Sequence, residues 1–132
     1  MERVFLDANV MFSAAWSEDN GLLMLWTLSR VELITSLYAV NEARRNLIDR
    51  EKRERLGRLL REVQIHEDPV QHERLFSDVE LPEKDQPILA AAIDAGATHL
   101  LTGDKTHFGA LYGLTIEGVL VLSPGSYLKG RG

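Results

Sequence analysis

Short apolar runs alternate along the chain with longer segments in which apolar residues recur every three or four positions. The short runs predict strands, because strands buried on both faces of a sheet are continuously apolar, and they lie at residues 4–6, 33–35, 99–102 and 118–122. The periodic segments predict helices at residues 9–15, 21–28, 38–49, 52–63 and 88–95, with a short helix near 108–112. Residues 67–83 are acidic and show neither pattern.

Strands that alternate with helices in this way indicate a parallel sheet with both of its faces covered. The sequence therefore predicts an α/β fold of three layers, in which a central, mainly parallel sheet is flanked by helices. No repeat, linker or second hydrophobic pattern interrupts the 132 residues. We expect a single domain spanning residues 1–132, a length that buries enough surface to fold without disulfides.

The composition excludes several classes of protein. Apolar residues make up 45% and charged residues 27%, as in soluble globular proteins. No apolar run has the length of a membrane span, and the first residues contain an acid and no small-residue cleavage site, so we expect a cytoplasmic protein with no membrane association. The absence of cysteine excludes disulfides and thiolate chemistry, which leaves oxygen and imidazole as metal ligands.

Charge is distributed unevenly. The formal net charge of −5 argues against nonspecific capture of nucleic acid, but residues 44–61 contain eight Lys or Arg and only three Asp or Glu. Arg55, Arg58 and Arg61 lie at a spacing of three on the polar side of the predicted helix 52–63. This row predicts contacts with nucleic-acid phosphates, and a solvated helix face with ion pairs is the alternative.

Acidic residues occur where ligands of parallel sheets bind, beyond the carboxyl ends of the strands. Asp7 directly follows the first strand, and Asp104 follows the strand that ends at Thr102. Asp85 begins the helix that leads into that later strand, and Glu42 lies within two turns of the start of the helix after the second strand. We therefore expect these four carboxylates to lie close together.

Four neighbouring carboxylates need a compensating charge, since two like charges 4 Å apart repel by roughly 4 kcal/mol at an effective dielectric near 20. A divalent cation that prefers oxygen ligands, Mg²⁺ or Mn²⁺, is the usual solution, and it can activate water for attack on a phosphodiester. Asp85 has a second predicted role as a helix N-cap, because Pro87 follows in the first turn and Gly96 closes the helix.

Three segments of the chain resemble the signature of PIN-domain ribonucleases: FLDANVMFSA at 5–14, NEARRNL at 41–47 and DQPILAAAIDAGATHLLTGDKTHF at 85–108. They occur in the family's order and spacing and span nearly the whole chain. The resemblance implies that Asp7, Glu42, Asp85 and Asp104 are the acidic quartet that binds Mg²⁺ or Mn²⁺. It also implies that Asn9 supports Asp7, and we expect Thr102 to hold a carboxylate or a water molecule.

The resemblance implies a metal-dependent endoribonuclease with RNA as its substrate. Many members of the family are toxins of toxin-antitoxin pairs and others process RNA, and the motifs do not separate the two groups. A cognate antitoxin and a homodimer are therefore implied only as family properties.

Two alternative functions remain. Asp7 as the nucleophile of an aspartyl phosphatase or dehalogenase is disfavoured, because that chemistry needs a second acid where this chain has Asn9. A catalytically inactive PIN-like module that binds RNA or protein is the second alternative, although such modules tend to lose acids and this chain keeps four. His107, beside Asp104, is interpreted as a packed or capping histidine.

Overall fold

The computed structural model describes residues 1–68 and 85–131. Most of the segment predicted to be irregular, 67–83, lies outside the described residues. The described elements are β1 (Glu2–Leu6), α1 (Ala8–Trp16), a 3₁₀ helix (Gly21–Thr27), β2 (Val31–Ser36), α2 (Leu37–Asn46), α3 (Arg50–Leu60), β3 (Gln64–His66), α4 (Gln86–Asp94), β4 (His99–Leu101), α5 (Lys105–Phe108), a second 3₁₀ helix (Gly109–Leu111), β5 (Thr115–Ile116), β6 (Val119–Leu122) and α6 (Pro124–Arg131).

The strands form one six-stranded sheet in the order β3-β2-β1-β4-β6-β5. Neighbouring strands are parallel except for β5 and β6, which form an antiparallel hairpin at one edge. Non-consecutive neighbours such as β1 and β4 require crossover connections, which the helices supply. The predicted α/β fold with a mainly parallel sheet flanked by helices is confirmed.

The two central strands, β1 and β4, lie in the middle of the core. Phe5, Leu6, Leu100 and Leu101 are fully buried, because the sheet is covered on both faces at this point. In α4, all five residues from Ile88 to Ala92 are buried, so this helix is enclosed rather than amphipathic. Among residues 1–68 and 85–131, no helix is long and apolar enough to cross a membrane.

Several element boundaries differ from the predicted ones. Residues 21–27 form a 3₁₀ helix, which is capped by Asn20, whose side chain accepts a hydrogen bond from the backbone N–H of Leu22. The helix predicted over 38–49 ends at Asn46, because Asp49 instead caps α3 by accepting from the backbone N–H of Glu51. Gly118, predicted to begin a strand, lies at positive φ in the turn of the β5–β6 hairpin.

The strand register determines where the carboxyl ends of β1 and β4 lie. Leu6 pairs with Leu101, and the next residue, Asp7, donates its backbone N–H to the carbonyl of Leu101 at 3.0 Å. Thr102 continues the same pattern by donating its N–H to the carbonyl of Leu122 on β6. Asp7 and Thr102 are therefore brought side by side by the backbone pairing of the sheet.

Candidate metal centre

Asp7 is the most constrained acid of the site. It lies at the junction of β1 and α1 with only 5% of its surface exposed. Its Oδ1 accepts a hydrogen bond from the backbone N–H of Ala8 at 2.6 Å, and its Oδ2 accepts from Thr102 Oγ1 at 2.7 Å and Asn9 Nδ2 at 3.2 Å. Three donors thus fix the orientation of one buried carboxylate.

A small polar network connects Asp7 to the loop after β4. Thr102 Oγ1 donates to Asp7 and also accepts from the backbone N–H of Asp104 at 3.1 Å. Asn9 Oδ1 accepts from the backbone N–H of Gly103 at 2.7 Å, and a Cβ at Gly103 would lie 3.3 Å from the same oxygen. Asn9 and Thr102 therefore hold this loop against the start of α1, and their part in metal binding stays a prediction.

Asp85, Asp104 and His107 form a second cluster beside Asp7. Asp104 begins α5, and its Oδ1 accepts from the backbone N–H of His107 at 3.1 Å. His107 Nδ1 lies 2.8 Å from Asp104 Oδ2 and 2.9 Å from Asp85 Oδ2. The imidazole ring therefore stands between two carboxylates from two different helices.

The predicted capping role of Asp85 is wrong. Asp85 precedes α4, but its side chain makes no capping hydrogen bond. Its backbone has φ −99° and ψ −11°, whereas a capping residue is normally extended so that its side chain can reach the first free N–H groups of the helix. Its Oδ2 instead lies 2.9 Å from His107 Nδ1.

All four predicted acids line one cleft of about 430 Å³ at the carboxyl edge of the sheet. Asp7 follows β1, Asp85 and Asp104 precede α4 and α5, and Glu42 lies on α2. Arg45 Nη2 is 4.0 Å from Glu42 Oε1, so an exposed cation accompanies the acids. The expected convergence of four separate segments is thus present in the geometry, while the role of each acid stays a prediction.

The negative charge in the cleft affects the pKa of Asp7. Its pKa is raised to about 6, first because burial disfavours the ionised form and further because Asp85 and Asp104 repel it. The hydrogen bonds from Thr102 and the Ala8 N–H oppose this shift. The pKa of Tyr112, whose hydroxyl donates to the carbonyl of Thr102, is raised by burial and by Asp104 and Asp7. The cleft therefore has a surplus of negative charge that a cation would offset.

The donor set fits a divalent cation. Asp85, Asp104 and His107 each offer a ligand atom, and these atoms all lie within 4.8 Å of one another. Carboxylate oxygens suit Mg²⁺ and Mn²⁺, and an imidazole nitrogen is compatible with Mn²⁺ and other transition metals.

The predicted phosphate-binding row on α3 is wrong for Arg55. Its side chain is only 11% exposed, and Nε donates to the carbonyl of Ala15 at 3.1 Å, so Arg55 packs between α3 and α1. The helical spacing did not reveal this, because the aliphatic part of arginine can be buried on the flank of an apolar stripe.

Arg58 and Arg61 are exposed, but they lie at the end of α3 that is far from the cleft. Since α3 leads into the parallel strand β3, its last residues reach the amino edge of the sheet. Arg61 there lines a groove with Met1, Glu32 and Gln64, at the opposite edge from the acids. Two other cations adjoin the acids: Arg45 on α2, whose Nη2 lies 4.0 Å from Glu42 Oε1, and Lys105, which is exposed and directly follows Asp104.

Comparison with known protein families agrees with this geometry. The sequence profile described as PIN domain matches residues 3–106, and the chain therefore belongs to the PIN domain family. No curated protein sequence is similar enough to this chain to count as a match.

Solved structures share the fold. A chain of VapBC2 from Rickettsia felis, bound to a promoter DNA fragment, superposes with a TM-score of 0.71 at 15% identity, covering 92% of this chain and 98% of that one. FitAcB from Neisseria gonorrhoeae gives 0.60 at 21% identity, with coverage of 92% and 98%. VapC20 from Mycobacterium tuberculosis, described as a sarcin-ricin loop cleaving toxin, gives 0.57 at 14% identity, with coverage of 78% and 92%. The chain is similar in structure to toxins of this type, and at these identities the likeness shows the fold alone.

Proposed function

We propose that this protein is a metal-dependent endoribonuclease that hydrolyses RNA phosphodiester bonds in the acidic cleft. The observation that carries the proposal is the meeting of Asp7, Glu42, Asp85 and Asp104, from four separate segments, around one cleft. Membership of the PIN domain family supports it. The description of the Mycobacterium tuberculosis relative as a sarcin-ricin loop cleaving toxin supports RNA as the substrate class.

Four carboxylates would hold the ion, Mg²⁺ or Mn²⁺: those of Asp7, Glu42, Asp85 and Asp104. When bound, such an ion supplies an activated water molecule and stabilises the charge that develops on the scissile phosphate. Thr102, Asn9 and the Ala8 N–H fix the direction of the Asp7 oxygens before the ion arrives. Hydrogen bonds of this kind from surrounding residues commonly orient metal ligands, and their loss weakens binding.

We expect RNA to approach the cleft over Arg45 and Lys105. The exposed pair Arg58 and Arg61 provides a matched control. Replacing Arg45 and Lys105 by glutamine should flatten the slope of log affinity against log salt by about 0.7 for each phosphate that is no longer bound. The control, Arg58→Gln with Arg61→Gln, removes the same charge at the opposite edge of the sheet and should leave the slope unchanged. Affinity would be measured for single-stranded RNA in an Asp104→Asn background, which prevents cleavage. Equal effects of the two pairs would contradict a binding path over Arg45 and Lys105.

The same cleft makes the cofactor requirement testable. Purified protein should cleave RNA with Mg²⁺ or Mn²⁺ present and should stop when a chelator removes the ion, because the carboxylates that line the cleft cannot supply the positive charge that the ion brings to the scissile phosphate. The alternative, an inactive PIN-like module that binds RNA or protein, predicts binding without cleavage under every metal condition. The retention of all four acids favours the enzyme.

A protein partner is part of the proposal. The similar structures include VapBC2 of Rickettsia felis and FitAcB of Neisseria gonorrhoeae, whose names denote toxin-antitoxin complexes. We therefore propose this chain as the toxin half of such a pair, with a cognate antitoxin that blocks its activity.

Expression of this protein in a bacterial host should arrest growth, and expression of the Asp104→Asn variant should not. A homodimer remains a prediction from the family resemblance.

A further inference from the structure

His107 lies beside the cleft, in contact with two of the acids that line it. The side chain is 26% exposed, so it is not part of the apolar core. Its backbone N–H donates to Asp104 Oδ1, which fixes the residue one turn into α5, and its Nδ1 faces Oδ2 of both Asp85 and Asp104. One ring nitrogen of His107 therefore contacts two of the carboxylates that would hold the ion.

The distances match the spacing of ligands around a single ion. Two ligand atoms about 2.1 Å from an octahedral ion, at right angles to each other, are about 3 Å apart. His107 Nδ1 lies 2.8 Å from Asp104 Oδ2 and 2.9 Å from Asp85 Oδ2. The nitrogen thus lies at the distance from each of the two carboxylate oxygens that a neighbouring ligand of the same ion would have.

We propose that His107 Nδ1 is a ligand of the divalent ion and makes the site prefer Mn²⁺, or another transition metal, over Mg²⁺. The inference rests on the proposed function, because it concerns the same ion. Mg²⁺ favours oxygen ligands, whereas imidazole nitrogen binds transition metals better. Asp85 and Asp104 supply oxygen atoms, and His107 adds the nitrogen that distinguishes the metals.

The experiment uses Mn²⁺ alone on the full-length protein, without RNA. Pulsed electron paramagnetic resonance of bound Mn²⁺ should show coupling to a directly bonded ¹⁴N nucleus. His107→Gln should remove this coupling and weaken Mn²⁺ binding by on the order of tenfold, with a smaller effect on Mg²⁺. His99→Gln is the control, because His99 lies at the start of β4 in a groove with Glu2 and Tyr127 and should leave the coupling intact.

A third variant separates ligation from a purely structural role. His107→Asp offers an oxygen in place of the nitrogen, so the ratio of Mg²⁺ to Mn²⁺ affinity should rise while binding persists. If His107 only braced the two carboxylates, replacing it would weaken both metals equally and leave the ratio unchanged. Circular dichroism of each variant would establish that it is folded.

The outcomes separate this inference from the proposed function. Bound Mn²⁺ without ¹⁴N coupling, in a protein that cleaves RNA, would overturn the role of His107 and leave the nuclease intact. Coupling that disappears in His107→Gln, in a protein that never cleaves RNA, would support the metal ligand and overturn the nuclease. A protein that binds no Mn²⁺ would overturn both.

Discussion

Asp7→Asn should stabilise the metal-free protein at pH 7.5 by roughly 1–2 kcal/mol and at the same time abolish RNA cleavage. Burial and two neighbouring carboxylates raise the pKa of Asp7 from 3.8 to about 6, so keeping this group ionised at neutral pH destabilises the folded protein. The shift in the pKa of Asp7 corresponds to roughly 3 kcal/mol of destabilisation of the folded protein, which Asp7→Asn removes. The substitution also loses one hydrogen bond, because the amide NH₂ group of asparagine cannot accept, and this costs about 1 kcal/mol.

The sign of the pH dependence follows from the raised pKa. The folded protein binds the Asp7 proton more tightly than the unfolded chain, so this contribution to stability is complete below about pH 4 and is lost as pH rises through about 6. In EDTA, the free energy of unfolding of wild type should therefore fall relative to that of Asp7→Asn as the pH rises through this range, as measured by urea unfolding. Asp19→Asn, an exposed acid, should change stability by no more than about 0.5 kcal/mol. A destabilised Asp7→Asn at pH 7.5 would contradict the proposed charge surplus.

Thr102→Val should lower both the stability of the protein and its affinity for Mn²⁺. The hydroxyl is fully buried and contacts three polar groups: Asp7 Oδ2, Asn9 Nδ2 and the backbone N–H of Asp104. Valine has nearly the same shape but can partner none of them, so we expect stability to fall by roughly 2–4 kcal/mol, since each buried polar group left without a partner costs about 1–3 kcal/mol. Mn²⁺ affinity should fall about 10- to 100-fold, because Asp7 is no longer oriented.

Thr35→Val provides the matched control. Thr35 is also fully buried, and its hydroxyl donates to the backbone carbonyl of Leu6 rather than to a carboxylate. Its replacement should cost on the order of 1 kcal/mol and leave metal affinity unchanged. Chemical unfolding and calorimetric Mn²⁺ titration of the two variants would measure both quantities. If the variants behaved alike in both measurements, the Thr102 network would be an ordinary part of the core.

The convergence of the acids could be predicted because it depends on the order of strands and helices along the chain, which the sequence pattern indicates. Alternating short apolar runs and periodic segments predicted a parallel sheet, and in such a sheet the residues after the strands share one edge. Asp7 and Asp104 follow directly from that rule. The strands β3 and β5 were not predicted, because they lie at the sheet edges, where short and partly exposed strands lack an apolar run.

Other features depend on how elements pack, which a single sequence does not show. Arg55 was expected among phosphate-binding residues, but the packing of α3 on α1 buries it against Ala15. The pairing of His107 with Asp85 joins two segments that are far apart in the chain. Its only signal in the sequence is the spacing of three from Asp104, which places it one helical turn away.

The most direct test of a metal-dependent nuclease in this cleft is the cleavage of RNA by wild type and Asp104→Asn, purified in parallel. Wild type should cleave RNA in Mn²⁺, stop when EDTA is added and resume when Mn²⁺ is restored in excess. Asp104→Asn, folded by circular dichroism, should be inactive throughout, which also excludes a contaminating ribonuclease. Cleavage by wild type that continues in excess EDTA, or equal cleavage by Asp104→Asn, would contradict the account.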